Sequence, residues 1–312
     1  MDKNSRIYVA GGRTLIGAAI LRQLEGQGYV NLVGKPGAEP DLIDPVAVAD
    51  FFARQAPEYV FMAAGKSGGI ESNRKYPADL MLDNLLVACN VIHNAHVCGV
   101  KKLLYLASSC SYPKHCPQPM RIESLLSGPL EPTNEAYAVA KIAGIKLCQA
   151  YRRQYRKNFI VGIPANAFGP GDDFSSDNSH VIAALIRKMY EAKMAGITTV
   201  EIWGSGAPRR DFIFADDLAD ACLFVMREYN DDQPINLGGG TDFSIAELAD
   251  LIKQVVGYEG RLHFDSGRPD GMPLKTLDSA PLLAMVWRPK TSIRAGLIAT
   301  FNAFLRTIDP SG

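Results

Sequence analysis

The chain has 312 residues, 47% of them hydrophobic, with 33 basic and 33 acidic side chains. That length suits a dinucleotide-sized domain with a smaller second lobe rather than one small core. The zero formal charge argues against a general nucleic-acid or membrane-surface binder, and leaves room for a phosphorylated small molecule that needs only a few local cations. No apolar run approaches the roughly 20 residues of a membrane span. Cysteines 89, 98, 110, 116, 148 and 222 form no CxxC pair, so no metal site is expected. With no secretory signal pattern at residues 1–6, reduced thiols in a cytoplasm are the natural reading.

The predicted elements alternate. Arg6 to Ala10 reads as a first strand, followed by a glycine turn and an apolar-periodic helix from Leu15 to Glu25. Val30 to Val33 reads as a second strand, and Asp44-Pro45 as an N-cap with proline at the first helical position. Tyr59 to Ala63, Leu103 to Ala107 and Phe159 to Ile163 are buried strands, separated by helix patterns at Pro77–His96 and Glu135–Arg153. Strands alternating with helices imply an α/β, Rossmann-like, doubly wound parallel sheet. The dinucleotide-binding domain is placed at residues 1–166 and a smaller C-terminal α/β substrate lobe at 167–312, with segments near 212–240 returning to the main domain. In that second part Gly, Pro, Asp and Ser cluster between 169 and 179 as a long loop. A helix pattern follows at His180–Met194, then strands at Phe212–Phe214 and Ile235–Leu237.

Gly11-Gly12-Arg13-Thr14-Leu15-Ile16-Gly17 links the first strand to a helix. Glycines there allow a tight turn, and the helix N-terminus offers free N–H groups to a pyrophosphate. A GxxGxxG pattern puts its middle glycine at Thr14, whose side chain either crowds the pyrophosphate or donates to it; the sequence leaves both open. The stretch Val33 to Gly37 carries no acid to hold a ribose hydroxyl, whereas Arg13 and Lys35 suit a 2′-phosphate. The expected cofactor is NADP(H), with NAD as the alternative.

Tyr137 and Lys141 stand four apart in a helix pattern and so share a face. The ammonium is expected to favour the phenolate and lower the tyrosine pKa, making it a usable proton donor. Ser108 follows a buried strand, where its hydroxyl would orient a carbonyl oxygen. Glycine turn, strand ending in serine and YxxxK come in the order and spacing of an extended short-chain dehydrogenase.

The sequence resembles the GDP-L-fucose synthase family, GDP-4-keto-6-deoxymannose 3,5-epimerase-reductases, along nearly its whole length. The resemblance rests on residues 108–114, 131–135, 137–148 (with Ala-Lys-Ile-Ala-Gly-Ile-Lys-Leu-Cys at 140–148), Asn178-Ser179-His180-Val181-Ile182, Trp203-Gly204-Ser205-Gly206 and Arg268-Pro269-Asp270-Gly271. It implies a reductase site of Ser108, Tyr137 and Lys141, and an epimerase acid–base pair of Cys110 and His180. It implies cofactor contacts at Gly11, Arg13, Thr14, Leu15, Ile16, Gly17, Lys35, Asp41, Leu42, Lys141, Pro164, Asn166 and His180. Lys188, Trp203, Arg210 and Lys275 are implied near a GDP-linked keto-sugar. A homodimer pairing the long helices near 80–96 and 135–153 is implied as well.

The family pattern is broken at Thr14, at Gly37 (where an arginine for the 2′-phosphate is expected), at Ala167 and Phe168 (leucine and tyrosine), and at Leu274 (arginine). The last three are expected on the substrate side, which leaves room for another GDP-sugar, such as a 3,6-dideoxy sugar. The other readings are an epimerase that retains its cofactor and a non-catalytic dinucleotide-binding sensor. Under the reading implied by the family, a C4 ketone acidifies C3 and C5. Cys110 as thiolate removes a proton, His180 returns one on the opposite face, Tyr137 and Ser108 hold the enolate oxygen, and hydride then reduces C4.

Overall fold

The computed structural model describes residues 1–175, 179–268 and 270–309; Asn178 and Pro269 of the motifs above lie outside the described residues. The first half runs β1 (Ile7–Ala10), α1 (Leu15–Gly26), β2 (Leu32–Val33), α2 (Pro45–Gln55), β3 (Tyr59–Met62), α3 (Ile70–Lys75), α4 (Pro77–Val97), β4 (Lys102–Leu106), α5 (Glu135–Tyr155) and β5 (Asn158–Pro164). The second half runs β6 (Asn166–Phe168), α6 (Val181–Met194), β7 (Thr199–Trp203), β8 (Arg209–Phe214), α7 (Ala215–Glu228) and β9 (Ile235–Leu237). It continues through β10 (Asp242–Ser244), α8 (Ile245–Val256), β11 (Arg261–Asp265), β12 (Leu274–Lys275), α9 (Ala280–Ala284) and α10 (Ile293–Ile308).

Six strands form one sheet in the order β2-β1-β3-β4-β5-β9, parallel at every pairing. The strands β1, β3, β4 and β5 are apolar almost throughout because helices cover both faces. The order reverses between β1 and β3, and a parallel sheet takes its ligand at the carboxyl ends of the strands flanking such a reversal. The expected fold class is the observed one.

Two differences have local causes. The expected second strand begins at Val30, but only Leu32 and Val33 pair with β1; Val30 is 74% exposed at the sheet edge. His180, read as helical, is the N-cap of α6 in extended conformation.

One hydrophobic cluster joins the large sheet to its covering helices. A second joins α6, α8 and α10 through Ile186, Met189, Leu248, Ile252 and Phe304. Strand β8 belongs to both. Its side chains alternate, so Ile213 enters the first cluster while Phe212 and Phe214 enter the second. It pairs with β6 and β12 in parallel and with β10 antiparallel. Phe168, expected at the substrate side, is instead 2% exposed and meets Phe214 edge-on at 5.8 Å. Its aromatic ring is core, so the change from tyrosine there says nothing about the sugar.

One glycine decides how α5 lies on the sheet. A Cβ on Gly144 would stand 2.3 Å from the Tyr105 hydroxyl. The bare Cα lets α5 close onto β4, where the Tyr105 hydroxyl donates to the Lys141 carbonyl at 3.3 Å and the Lys141 ammonium donates to the Leu106 carbonyl at 3.3 Å. Gly144→Ala is expected to force α5 away from β4 and to lower the unfolding free energy by about 1–3 kcal/mol in a urea titration. An unchanged midpoint would mean that the helix has room to spare.

Candidate active site

The site grows from the carboxyl ends of the central strands. Past β1, Gly11 adopts φ +82°, and a Cβ there would lie 2.6 Å from the Ala64 Cα. Thr14 is the N-cap of α1. Its hydroxyl donates to the Gly11 carbonyl at 2.8 Å and accepts from the Gly17 N–H at 3.0 Å. In this structure the hydroxyl holds the turn, as N-cap hydroxyls commonly do. The Leu15 and Ile16 N–H groups then open the helix without an acceptor in the helix itself.

The second strand carries no acid at its end, but one reaches the turn from further along the chain. Glu39 Oε1 accepts from the Gly11 N–H at 2.5 Å and from the Tyr8 hydroxyl at 3.2 Å. Burial raises the Glu39 pKa, against hydrogen bonds from Gly11, Tyr8 and Gly12 and the nearby Arg13 charge. Glu39 lies beyond residues 33–37, the stretch where the strand end places such an acid, and nothing in its neighbours marks the contact. Lys35 pairs with Glu25 at 2.7 Å, while Arg13 is exposed beside Gly37. Of the two cations expected for a 2′-phosphate, only Arg13 stays at the turn. The Leu42 carbonyl accepts from Asn90 at 3.0 Å, the Asp41 carboxylate accepts from the Ile43 N–H at 3.1 Å, Pro164 pairs with Leu237, and Asn166 donates to the Asp211 carbonyl at 2.8 Å.

Past β4, Ser108 caps a single 3-10 turn, Ser109–Ser111, by accepting from the Cys110 N–H at 3.2 Å. Ser108 also hydrogen-bonds Tyr137. The Lys141 ammonium lies 5.8 Å from the Tyr137 ring centre. The expected lowering of the tyrosine pKa by this lysine is not what the structure holds. Burial pushes the Tyr137 phenol well above its ordinary value, Cys110 adds to this, and only the Ser108 hydrogen bond opposes it. Burial also brings Lys141, 6% exposed, down to about 8, so its charge is itself disfavoured. Asn84, which the sequence reading passed over, is buried on α4, and its Oδ1 has no hydrogen-bond partner. Both Asn84 Oδ1 and Lys141 Nζ border Gly65, 2.3 Å and 3.2 Å from where its Cβ would be. A polar residue at an interior helical position was the available signal.

The second lobe adds charge. Strand β12 pairs Lys275 with Arg210 of β8 and brings the Lys275 ammonium to 3.3 Å from Cys110 Sγ. The Asn134 amide, also missed, approaches the same sulfur at 3.2 Å. Arg210 is half-buried, its pKa lowered by burial against Asp270 and Cys110. His180 has a lowered pKa from crowding by protein and from Lys275, opposed by Asp173. Lys188 and Trp203 lie at β7: Lys188 donates to the Glu201 carbonyl, and Arg268 covers the half-exposed Trp203 ring at 4.8 Å.

A glycine turn at the sheet's switch point, a serine after β4 and a tyrosine–lysine helix closing over it define an extended short-chain dehydrogenase. Residues 7–238 match the NAD dependent epimerase/dehydratase family. GDP-L-fucose synthase 1 of Arabidopsis thaliana is 50% identical over 307 residues, 98% of this chain and 95% of that protein. GDP-L-fucose synthase of Escherichia coli (strain K12) is 47% identical, covering 97% of this chain and 98% of its own. A GDP-L-fucose synthetase from Naegleria fowleri bound to NADP superposes with a TM-score of 0.91 at 29% identity, covering 99% of this chain and 95% of that one. The chain belongs to the GDP-L-fucose synthase family.

NADP fits the residues present. The turn admits no Cβ at Gly11 or at Gly17, where one would stand 2.0 Å from the Gly11 carbonyl oxygen, and two N–H groups open α1 beside the exposed Arg13. Glu39→Ala would strand the Gly11 N–H and the Tyr8 hydroxyl. It is expected to lower the unfolding free energy by about 1–3 kcal/mol. Glu39→Gln keeps an acceptor without the charge that burial disfavours, and should stay close to wild type. Equal losses in both variants, measured by chemical denaturation, would remove the hydrogen bonds as the cause.

Proposed function

We propose that this protein is an NADP-dependent epimerase-reductase that converts GDP-4-keto-6-deoxy-D-mannose to GDP-L-fucose. What carries the reading is the polar cluster past β4, in which Ser108 accepts from the Cys110 N–H and acts on the Tyr137 phenol, the Lys141 ammonium donates to the Leu106 carbonyl and the Lys275 ammonium lies against the Cys110 sulfur. Two chemistries need two sets of groups, and Cys110 of one set stands on the turn that Ser108 of the other caps. The names of the relatives point to the same substrate class.

The C4 ketone of the sugar makes the C3 and C5 protons removable. Cys110, as thiolate, takes the proton at each carbon; His180 delivers one to the opposite face, which inverts the centre. Ser108 and Tyr137 hold the oxygen where enolate charge gathers. NADPH supplies the hydride for C4 when bound. Tyr137 gives its proton to the C4 oxygen, and a phenol held protonated by burial is suited to donate rather than accept. Lys141, donating to the Leu106 carbonyl, holds the tyrosine end of the site against the sheet, and Arg210 holds anionic or hydroxyl groups of the nucleotide sugar.

The working form is a homodimer in the cytoplasm. Leu82 and Val97 on α4 and Val139 and Tyr155 on α5 are exposed apolar side chains for a partner to cover, and all six cysteines are free. No helix among the described residues is long and apolar enough to cross a membrane. Sedimentation of the purified protein at the mass of a monomer would refute the dimer.

Incubation with GDP-4-keto-6-deoxymannose and NADPH, followed by identification of the sugar, tests the reading. GDP-L-fucose with stoichiometric loss of NADPH is expected, and no consumption of NADPH overturns it. Tyr137→Phe should lower the reduction rate by ~10²–10⁴ with cofactor affinity retained; reduction at the wild-type rate excludes Tyr137 as the donor. Cys110→Ser fills nearly the same space with a far weaker base. The variant should release a reduced sugar of D configuration and exchange C3 and C5 protons with deuterated solvent more slowly. Full inversion at an unchanged rate would make Cys110 a packing residue.

A further inference from the structure

Cys110 is half-buried, at the end of a strand otherwise packed in the first hydrophobic cluster. A thiol in such surroundings normally stays protonated, and a protonated thiol is no base. Yet two donors from distant parts of the chain converge on its sulfur: the Lys275 ammonium at 3.3 Å and the Asn134 amide at 3.2 Å. Neither comes from the 3-10 turn that carries the cysteine.

We propose that Lys275 is a positioning residue for the base: its ammonium, with the Asn134 amide, holds Cys110 as a thiolate before substrate arrives. This rests on the epimerase reading of Cys110. It also gives Lys275 a different task from gripping the nucleotide sugar.

The placement of Lys275 is built, not incidental. The two-residue strand β12 pairs with β8, and the chain just beyond is tied to the main domain. The Thr276 N–H donates to Gln118 at 3.1 Å, and the Met120 N–H donates to the Thr276 carbonyl at 2.8 Å. The side chain is half-buried, which lessens solvent screening of its charge. Burial alone would raise the Cys110 pKa; the Lys275 charge, then hydrogen bonds from Ser108, Lys275 and Asn134, outweigh it and bring the thiol below its ordinary value.

The other groups around the sulfur fit this division. Tyr137 on α5 is a neutral phenol whose ionisation the thiolate opposes, and Arg210 on β8 is a second cation within electrostatic reach. The Lys275 charge also acts on His180, whose pKa is lowered by crowding and by the same ammonium, against Asp173. One cation therefore keeps the sulfur deprotonated and able to take a proton, and makes the imidazolium a stronger acid, the two properties an inverting pair needs.

The test needs no substrate. Purified full-length protein is alkylated with iodoacetamide across a pH series, and modification of the Cys110 peptide is followed by mass spectrometry. In the wild type the rate should reach half its plateau at a lower pH than for free cysteine under the same conditions. Lys275→Met should raise the Cys110 midpoint by about 1–3 pH units, at least a tenfold fall in rate below it. Lys275→Arg should restore the low midpoint, and Asn134→Ala should raise it by less. Solvent-deuterium exchange at C3 and C5 of GDP-4-keto-6-deoxymannose should fall with the thiolate fraction. If Lys275→Met leaves the Cys110 midpoint in place and only weakens GDP binding, Lys275 is a substrate ligand and the proposal falls. Should the wild type form no GDP-L-fucose while Lys275→Met still moves the midpoint, the thiolate assignment stands and the proposed reaction fails.

Discussion

The contact between α5 and the end of β4, possible only because Gly144 has no side chain against Tyr105, is the constraint on which the site depends. It fixes the height of Tyr137 and Lys141 above Ser108. It also sets the depth at which both are buried, and burial governs their protonation: the phenol rises and the ammonium falls to about 8. Packing and acid–base chemistry are here one quantity. A helix one methyl group further out would loosen the Lys141 contact with the Leu106 carbonyl and admit water to both groups.

Two lysines beside this cluster stand in different surroundings. Lys141 lies among apolar atoms with only a carbonyl as acceptor, and desolvation penalises its charge. Lys275 stands on a short strand at the edge of the second lobe, against a polarisable sulfur. The difference follows from where β8 runs. By sharing its alternate side chains between the two hydrophobic clusters, β8 makes the lobes one packed unit, so a residue paired to it from β12 arrives at the carboxyl end of β4 without a flexible tether.

The glycine turn shows a similar economy. Thr14, which breaks the glycine pattern, closes the turn with its hydroxyl, and Glu39 ties the same turn from outside by taking the Gly11 N–H. The backbone that faces a dinucleotide is held by two side chains that leave the first N–H groups of α1 available. Arg13 and not Lys35 remains beside Gly37, because Lys35 reaches back to Glu25 on α1.

Much of this was legible in the residues themselves. Alternating apolar runs and helix periods determined the parallel sheet, since each pattern admits one way of burying its apolar face. Spacing pointed to Ser108, Tyr137 and Lys141, because a helical spacing of four and a strand end are local geometry, whereas Cys110 and His180 came from the family resemblance. Only the tertiary structure decided what surrounds them. Glu39 and Asn134 carry no local signal of their contacts, Asn84 only that of a polar residue inside a helix, and Lys275 reaches Cys110 across 165 residues of chain through a two-residue strand. The direction of the Tyr137 shift was decided there too. Spacing on a helix face predicts that a cation is near, but the depth of burial, which outweighs it, exists only once α5 has closed on the sheet. Phe168 makes the same point: its neighbours in sequence suggest a substrate contact, and the second hydrophobic cluster, assembled from segments far apart in the chain, claims the side chain instead.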